Sequence, residues 1–436
     1  MFYKASGLNQ FADCIHQIYM ADFRPFKGWF YNPDLIKNLQ DVVCPSFDLL
    51  SEEEKDELNR IPYNSIHLTR FAPTMKTVEQ RLFDDWKNHN ILVQDSKSAL
   101  YAYRQTQPGK PQNLGLIGMI RVEQEPQQVV LRHELTFSKN MPSRLRWLNE
   151  SQVNVTPTHG LFGHYEQEIN LLLSKALLKP FIKVRDQHHV LHEIAKVINL
   201  EEIRSIQHWV KDQNVFLADG HHRFEAAQNY QKHQAEANKL HTGEEAYNFH
   251  LMYLTGVNHG TAPLMPYARL FKLQSKFPWD AFLGKIKHWF TLEDSDRLPS
   301  RDEISLQGFG SSYILRPNAL AMKVTSEYLP DHTLPHGVFY LQKLLLEQVL
   351  YQLVSPEQLR IEFDYHVEHI GQKLADGDAD IALLPAPVEV NELVSLSKKG
   401  ILLPQKSTCF LPKVPAGLVV SSIKEYESVE APHFSF

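Results

Sequence analysis

The chain has 436 residues, 43% of them hydrophobic and 22% charged, which excludes a disordered chain and leaves room for two or three domains of roughly 150 residues each. Its net charge of −6 provides no basic field for nucleic acid or an anionic membrane, so neither is an expected partner. Cys14, Cys44 and Cys409 lie too far apart for a dense disulfide framework or a paired-cysteine metal knuckle; with no apolar leader after Met1 and no run of about 18 apolar residues, the cytoplasm is the expected compartment.

In chain order, Ser51 and Glu54 have the spacing of a capping box, and a helix is expected from there to about Asn59. Val78, Leu82, Phe83 and Trp86 recur at three and four, the stripe of a second helix. Strands are expected at 99–103 and 115–122, a helix at 167–178, a strand at 187–197 and a short buried strand at 215–218. The next helix should begin at or just after Gly220, with Phe224, Ala227 and Tyr230 on its inward stripe. Residues 338–354 carry the longest apolar helical pattern, and 380–384 read as a buried strand closed by Pro385. This mixture predicts an α/β (α+β) fold. No internal repeat or composition break marks a border; the expected division is an N-terminal α/β region at 1–110, a core at 111–255 and a C-terminal α/β region at 256–436.

Chemistry concentrates at Asp219-Gly220-His221-His222-Arg223. A buried strand that ends in Asp-Gly and runs into a helix suits an anion. The glycine removes the Cβ that would block close approach, and the first helical turn leaves amide hydrogens pointing outward at the positive end of the dipole. Arg223 can clamp phosphate oxygens in two places, and His221 and His222 add donors whose charge changes near neutral pH. Asp219 could cap the helix, hold a metal or orient a histidine. Zinc is not expected at His188, His189 and His192: on one strand His188 and His192 would stand roughly 13 Å apart, and solvated histidines are the expected reading. Upstream, His133-Glu134 precedes Arg144 and Leu145, and a glutamate beside a histidine can act as general base if the fold carries it to a substrate. Lys406 and Lys413 flank Ser407-Thr408 between prolines, either closing over an anionic donor as point charges or standing solvated on a rigid loop.

The segment Asp219 to Ala227 resembles the second box of the ParB/sulfiredoxin-like superfamily, in the Asp-Gly-His-His-Arg form seen in free-serine kinases. Those kinases also carry His-Glu, then Arg-Leu, then a Pro-led strand, an order matched here by His133-Glu134, Arg144-Leu145 and Pro157. From about residue 18 to 424 the chain is similar to a bacterial and archaeal family catalogued as domain of unknown function ten-fifteen. The marks are Arg24-Pro25-Phe26-Lys27-Gly28, Cys44-Pro45-Ser46-Phe47-Asp48, Pro62-Tyr63-Asn64, Tyr101-Ala102-Tyr103-Arg104-Gln105, Leu403-Pro404-Gln405-Lys406-Ser407-Thr408, Phe410, Pro412-Lys413 and Gly417-Leu418. It departs from the family at Tyr267 and Ala268, at His67, and at Ser46 and Phe47.

The resemblance implies a ParB/sulfiredoxin-like core with N- and C-terminal extensions, and a phosphotransferase acting on a small hydroxyl compound, free L-serine first. The donor would be pyrophosphate, ADP or ATP, with Mg2+. Glu134 would take the hydroxyl proton; His133, Gly220, His221, Arg223, Arg144, Lys406 and Lys413 would bind substrate and phosphate; Asp219 and His222 would complete the catalytic set. Such transfer needs mainly positioning and electrostatics. No Gly-x-x-x-x-Gly-Lys-Ser/Thr loop is present, which excludes a P-loop kinase. Sulfiredoxin chemistry is excluded because His221 stands where that reaction needs a thiolate. A ParB-like nucleotide- or DNA-binding regulator and a non-catalytic scaffold are the alternatives.

Overall fold

The computed structural model describes residues 20–69, 78–123, 129–136, 141–163, 167–257, 264–330 and 333–429; Met1 and Cys14 lie outside them. Along strand Leu100–Thr106 alternation sends Leu100 and Ala102 to one face and Tyr101 and Tyr103 to the other. All four are apolar and buried, so the sheet must be covered on both sides. Helices Gln167–Ala176 and Leu200–Lys211 cover the first face through Ile169, Leu173, Ile203 and Ile206. Helices Met141–Ser151 and His221–Ala237 cover the second through Leu148, Ala226 and Tyr230.

From edge to edge this sheet runs Val130–Leu131, Val215–Asp219, Thr158–Phe162, Phe249–Gly256, Asn113–Arg121, Leu100–Thr106, Leu191–Val197 and Ile182–Arg185. Phe23–Arg24 pairs alongside Asn113–Arg121. Two pairings are parallel, Val215–Asp219 with Val130–Leu131 and Thr158–Phe162 with Phe249–Gly256, so the sheet is mixed and the fold is α+β. A second, antiparallel sheet runs Phe290–Asp294, Ser311–Pro317, Ile304–Gly308, Ile381–Pro385, Ala268–Leu273 and Leu359–Asp364. The expected border at 110 falls in the hairpin joining Leu100–Thr106 to Asn113–Arg121, two strands of one sheet. The chain leaves the second sheet near 400 and returns to the first region, where Leu403 meets Glu134, Ala416 meets Cys44 and Val420 meets Trp29.

Most expected elements form where the pattern put them. Ser51 Oγ accepts from the Glu54 amide at 3.2 Å while Glu54 accepts from the Ser51 amide at 2.8 Å, closing the capping box of helix Glu52–Asn59. Phe83 and Trp86 are buried on helix Val78–Asn88. Three expectations need correction. The strand expected at 187–197 begins at Leu191, because Asp186 accepts from the amides of His188 and Val190, both at 2.9 Å, and turns the chain. His188 and His189 are exposed on that turn, but His192 is fully buried rather than solvated, held between the Tyr103 hydroxyl at 2.7 Å and Asp186 at 3.0 Å. Finally, 338–354 is helical without being one α-helix: Gly337–Tyr340 is α, Leu341–Val349 has wider π hydrogen bonding and Leu350–Gln352 ends as a 3₁₀ turn. The wider turns bring the consecutive Leu344, Leu345 and Leu346 all into the core. Cys44 and Cys409 are both buried and unbonded to each other. No helix of the described residues is long and apolar enough to cross a membrane.

Candidate functional site

Parallel pairing explains why motifs about 85 residues apart in sequence meet. Strands Val130–Leu131 and Val215–Asp219 run side by side in parallel, Val130 opposite Val215 and Leu131 opposite Phe216, so the chain leaves both at the same end of the sheet. His133-Glu134 follows one strand and Gly220-His221 the other, and the His221 Nε2 lies 3.3 Å from the His133 Nδ1. The returning C-terminal segment docks onto the first of these loops: the Leu403 amide donates to the His133 carbonyl at 2.6 Å, and the Leu135 amide donates to the Leu403 carbonyl at 3.0 Å. These three segments, with helix Met141–Ser151 and the start of strand Phe249–Gly256, line one cleft of about 450 Å³.

Glu134 is the anchor of the returning turn. One carboxylate oxygen accepts from the amides of Ser407 at 3.1 Å and Thr408 at 2.8 Å and from the Thr408 hydroxyl at 2.6 Å; the other accepts from the Lys406 amide at 3.1 Å. Burial alone would raise this carboxyl's pKa, but His133, His221 and Thr408 outweigh it and bring it down to about 2. Three of the four accepted bonds fall on one oxygen and one on the other, so the carboxylate is tied to the turn mainly through one side. In this structure the carboxylate is ionised, of low basicity, and holds the 406–408 turn in place.

The Asp-Gly-His-His-Arg segment is built differently from expectation at its cap. Gly220, not Asp219, is the N-cap of helix His221–Ala237, at φ +91. Only glycine fits there: a Cβ would lie 2.6 Å from Thr158 Cγ2 and 3.0 Å from the Arg223 guanidinium. Asp219 ends the preceding strand and is held by Arg223 at 2.8 Å and Lys413 at 2.9 Å. Arg223 in turn donates to the Thr156 and Pro157 carbonyls at 2.9 and 3.0 Å. Its guanidinium thus lines the cleft but spends three of its five donors on fixing the helix start, which leaves fewer for a phosphate.

Burial lowers every cleft imidazole for which a shift is resolved: His221 to about 3, His222 to about 4 with help from the Arg144 charge, and His250 to about 3 with help from Arg223. His159, behind the cleft and bonded to Thr255 at 2.7 Å, is lowered to about 4 by burial. These rings are neutral at pH 7. The lasting charges on the lining are four cations, Arg144, Arg223, Lys406 and Lys413, against two carboxylates, Glu134 and Asp219. The Lys406 ammonium sits 4.9 Å from the Tyr267 ring, and Lys413 is almost wholly buried at its ion pair with Asp219. A surplus of cations at the amino end of a 17-residue helix favours an anionic ligand. Mg2+ fits poorly as a resident ion. Glu134 already accepts four hydrogen bonds, and Asp219 is engaged by two cations, whereas Mg2+ takes accessible carboxylate oxygens and usually shares the phosphates of its substrate.

The fold brings the ten residues expected at the site close together: His133 is bonded to Thr408 at 2.8 Å and to His221, and the other nine line the cleft. His250 was missed. It is 2% exposed, lines the cleft, and neither ring nitrogen has a hydrogen-bond partner among the described residues. Its signal in the sequence is a lone histidine inside the apolar run 249–254. Tyr267, noted only as a departure from a family pattern, also lines the cleft, as do Thr408 and Asn154.

The model of the family described as "Protein of unknown function (DUF1015)" matches residues 23–336. No curated protein matches the chain. Among solved structures, a free serine kinase in complex with AMP is similar at 12% identity and TM-score 0.35, over 65% of this chain and 83% of that one. A conserved hypothetical protein from Pyrococcus furiosus is similar at 12% identity and TM-score 0.36, over 66% and 89%. SbnI with C-terminal truncation, from Staphylococcus aureus, is similar at 11% identity and TM-score 0.36, over 69% and 87%.

Proposed function

This chain belongs to the DUF1015 family, and from that premise we propose that it is a phosphotransferase, moving a phosphoryl group from pyrophosphate, ADP or ATP to a small hydroxyl compound, free L-serine first. The observation that carries this reading is the cleft itself: four cations against two carboxylates at a helix amino terminus, in a chain whose net charge is −6. The motif resemblance to free-serine kinases adds the acceptor. In the proposed step the acceptor oxygen bonds to the terminal phosphorus of the donor, and the bond from that phosphorus to the leaving phosphate breaks. The hydroxyl proton passes to His222, a neutral imidazole on the cleft wall. Arg144, Lys406 and the first-turn amides of the helix bind the transferred group, while Glu134, Asp219, Arg223 and Lys413 hold those groups in position.

The test is to incubate purified protein with Mg2+, serine and each donor separately, and to look for phosphoserine. Formation with one donor and not the others identifies it. A second reading, a ligand-binding chain without turnover, is favoured by one observation, the weakly basic Glu134 engaged by the 406–408 turn. It predicts binding of a nucleotide or pyrophosphate with no phosphoserine from any donor, and that result would overturn the transferase.

A further inference from the structure

We propose that Asp364, His366 and His369 form a binding site for a zinc-class divalent ion, separate from the cleft. Asp364 is buried at the end of strand Leu359–Asp364, opposite Ala268 in the second sheet. Its carboxylate accepts from the His366 amide at 2.9 Å, which bends the chain into the 3₁₀ turn Val367–His369. Residues three apart eclipse on such a turn, and the rings of His366 and His369 stand 4.7 Å apart, centre to centre. Both present Nδ1 to the same carboxylate, His366 at 3.7 Å from one oxygen and His369 at 4.0 Å from the other. One ligand atom from each of the three residues lies within 4.8 Å of the others.

Those spacings are close to what an ion requires. Tetrahedral bonds of about 2.0–2.1 Å place ligand atoms about 3.4 Å apart, so atoms that lie within 4.8 Å of one another need to close by no more than about 1.4 Å. Two imidazole nitrogens with one carboxylate oxygen suit zinc rather than magnesium or calcium, which take all-oxygen sets. The histidine side chains are 37% and 54% exposed, which opens a route for the ion and leaves a fourth position to water. The competitor is Lys373, whose ammonium bonds Asp364 at 2.7 Å and also bonds Glu362. A bound ion displaces it from Asp364 and leaves it on Glu362, so affinity is set against that exchange. The ion ties the strand end to the turn that leads into helix Ile370–Ala375.

The full chain, stripped with a chelator and dialysed, is titrated with Co2+ as a spectroscopic probe and with Zn2+ by calorimetry. The chain has 22 histidines, so the informative quantity is the difference between variants. Wild type takes up one equivalent more than His366→Ala and His369→Ala, or binds it at least about tenfold more tightly, and shows visible cobalt bands that both variants lose. His188→Ala, on an exposed turn elsewhere, matches wild type, and Lys373→Met, lacking the competing ammonium, binds more tightly. His369 is more than half exposed, so its variant folds, and circular dichroism checks this. No saturable uptake by wild type, or identical cobalt spectra from wild type and both histidine variants, overturns the site.

Discussion

Replacing Glu134 with glutamine keeps the shape of the side chain but exchanges an acceptor oxygen for an amide donor. Three amides and a hydroxyl donate to that carboxylate, so at least one of them then faces another donor. The expected cost is about 1–3 kcal/mol in a denaturant titration, the usual penalty for a buried group left unsatisfied. Catalytic loss without any loss of stability would make Glu134 the base. His250 makes the opposite case. A buried imidazole with no hydrogen-bond partner among the described residues contributes little to the fold, so His250→Leu should unfold at the same or a higher temperature than wild type. If the ring binds ligand, the same variant loses affinity for the donor or acceptor by about tenfold, the value of one hydrogen bond to a ligand at roughly 1.4 kcal/mol. A destabilised variant with unchanged ligand affinity would make His250 a structural residue.

At the scale of the element, the start of helix His221–Ala237 is fixed by Gly220 and Arg223 together. Gly220→Ala forces a left-handed residue to carry a Cβ within 2.6 Å of Thr158. A loss of about 1–3 kcal/mol is expected, read as a lower denaturation midpoint with an unchanged slope. Arg223→Lys keeps the charge opposite Asp219 but cannot reach two carbonyls and a carboxylate at once, because an ammonium lacks the planar fork. It should therefore behave like Arg223→Ala in stability and in phosphate affinity. Full rescue by lysine would show that only the charge matters. The turn at 406–408 is an element of the same kind: it has Lys406 at φ +56 and takes its position from a carboxylate that lies 272 residues earlier in the chain.

For the whole molecule, the buried imidazoles set the response to acid. His159, His221, His222 and His250 are held at about 3 to 4, below the ordinary 6.5. Unfolding returns them toward 6.5, so between these values the unfolded chain binds more protons and stability falls as pH drops from about 6.5 toward 4. Glu134 acts lower. Its contribution is complete above the ordinary 4.5 and is lost as pH falls through about 2. The melting temperature should thus decline below pH 6.5, before most carboxylates titrate, and His250→Leu should show a shallower decline between 6.5 and 4. A melting temperature that holds level from pH 7 to 5 would contradict the buried, neutral histidines.

Local rules alone determined several features of this chain. The capping box at Ser51, the helix that opens at Gly220 and the buried strands at 100–106, 215–219 and 381–385 follow from spacing, apolar runs and turn residues, all short-range properties. The same holds for the identity of the polar segment at 219–223. What those residues do was decided by tertiary contacts. Asp219 reads equally well as a cap or a metal ligand until Lys413, from 194 residues downstream, arrives against it. That Glu134 holds the 406–408 turn, and that Arg223 spends donors on the Thr156 and Pro157 carbonyls, shows only in the folded chain. The strand expected at 187–197 starts late because Asp186 bonds its own turn, and His192 became buried because Tyr103 came from another strand. A side chain's donors and acceptors are written in the sequence, but which partners reach them depends on loops closing over hundreds of residues, and pattern reading does not extend that far.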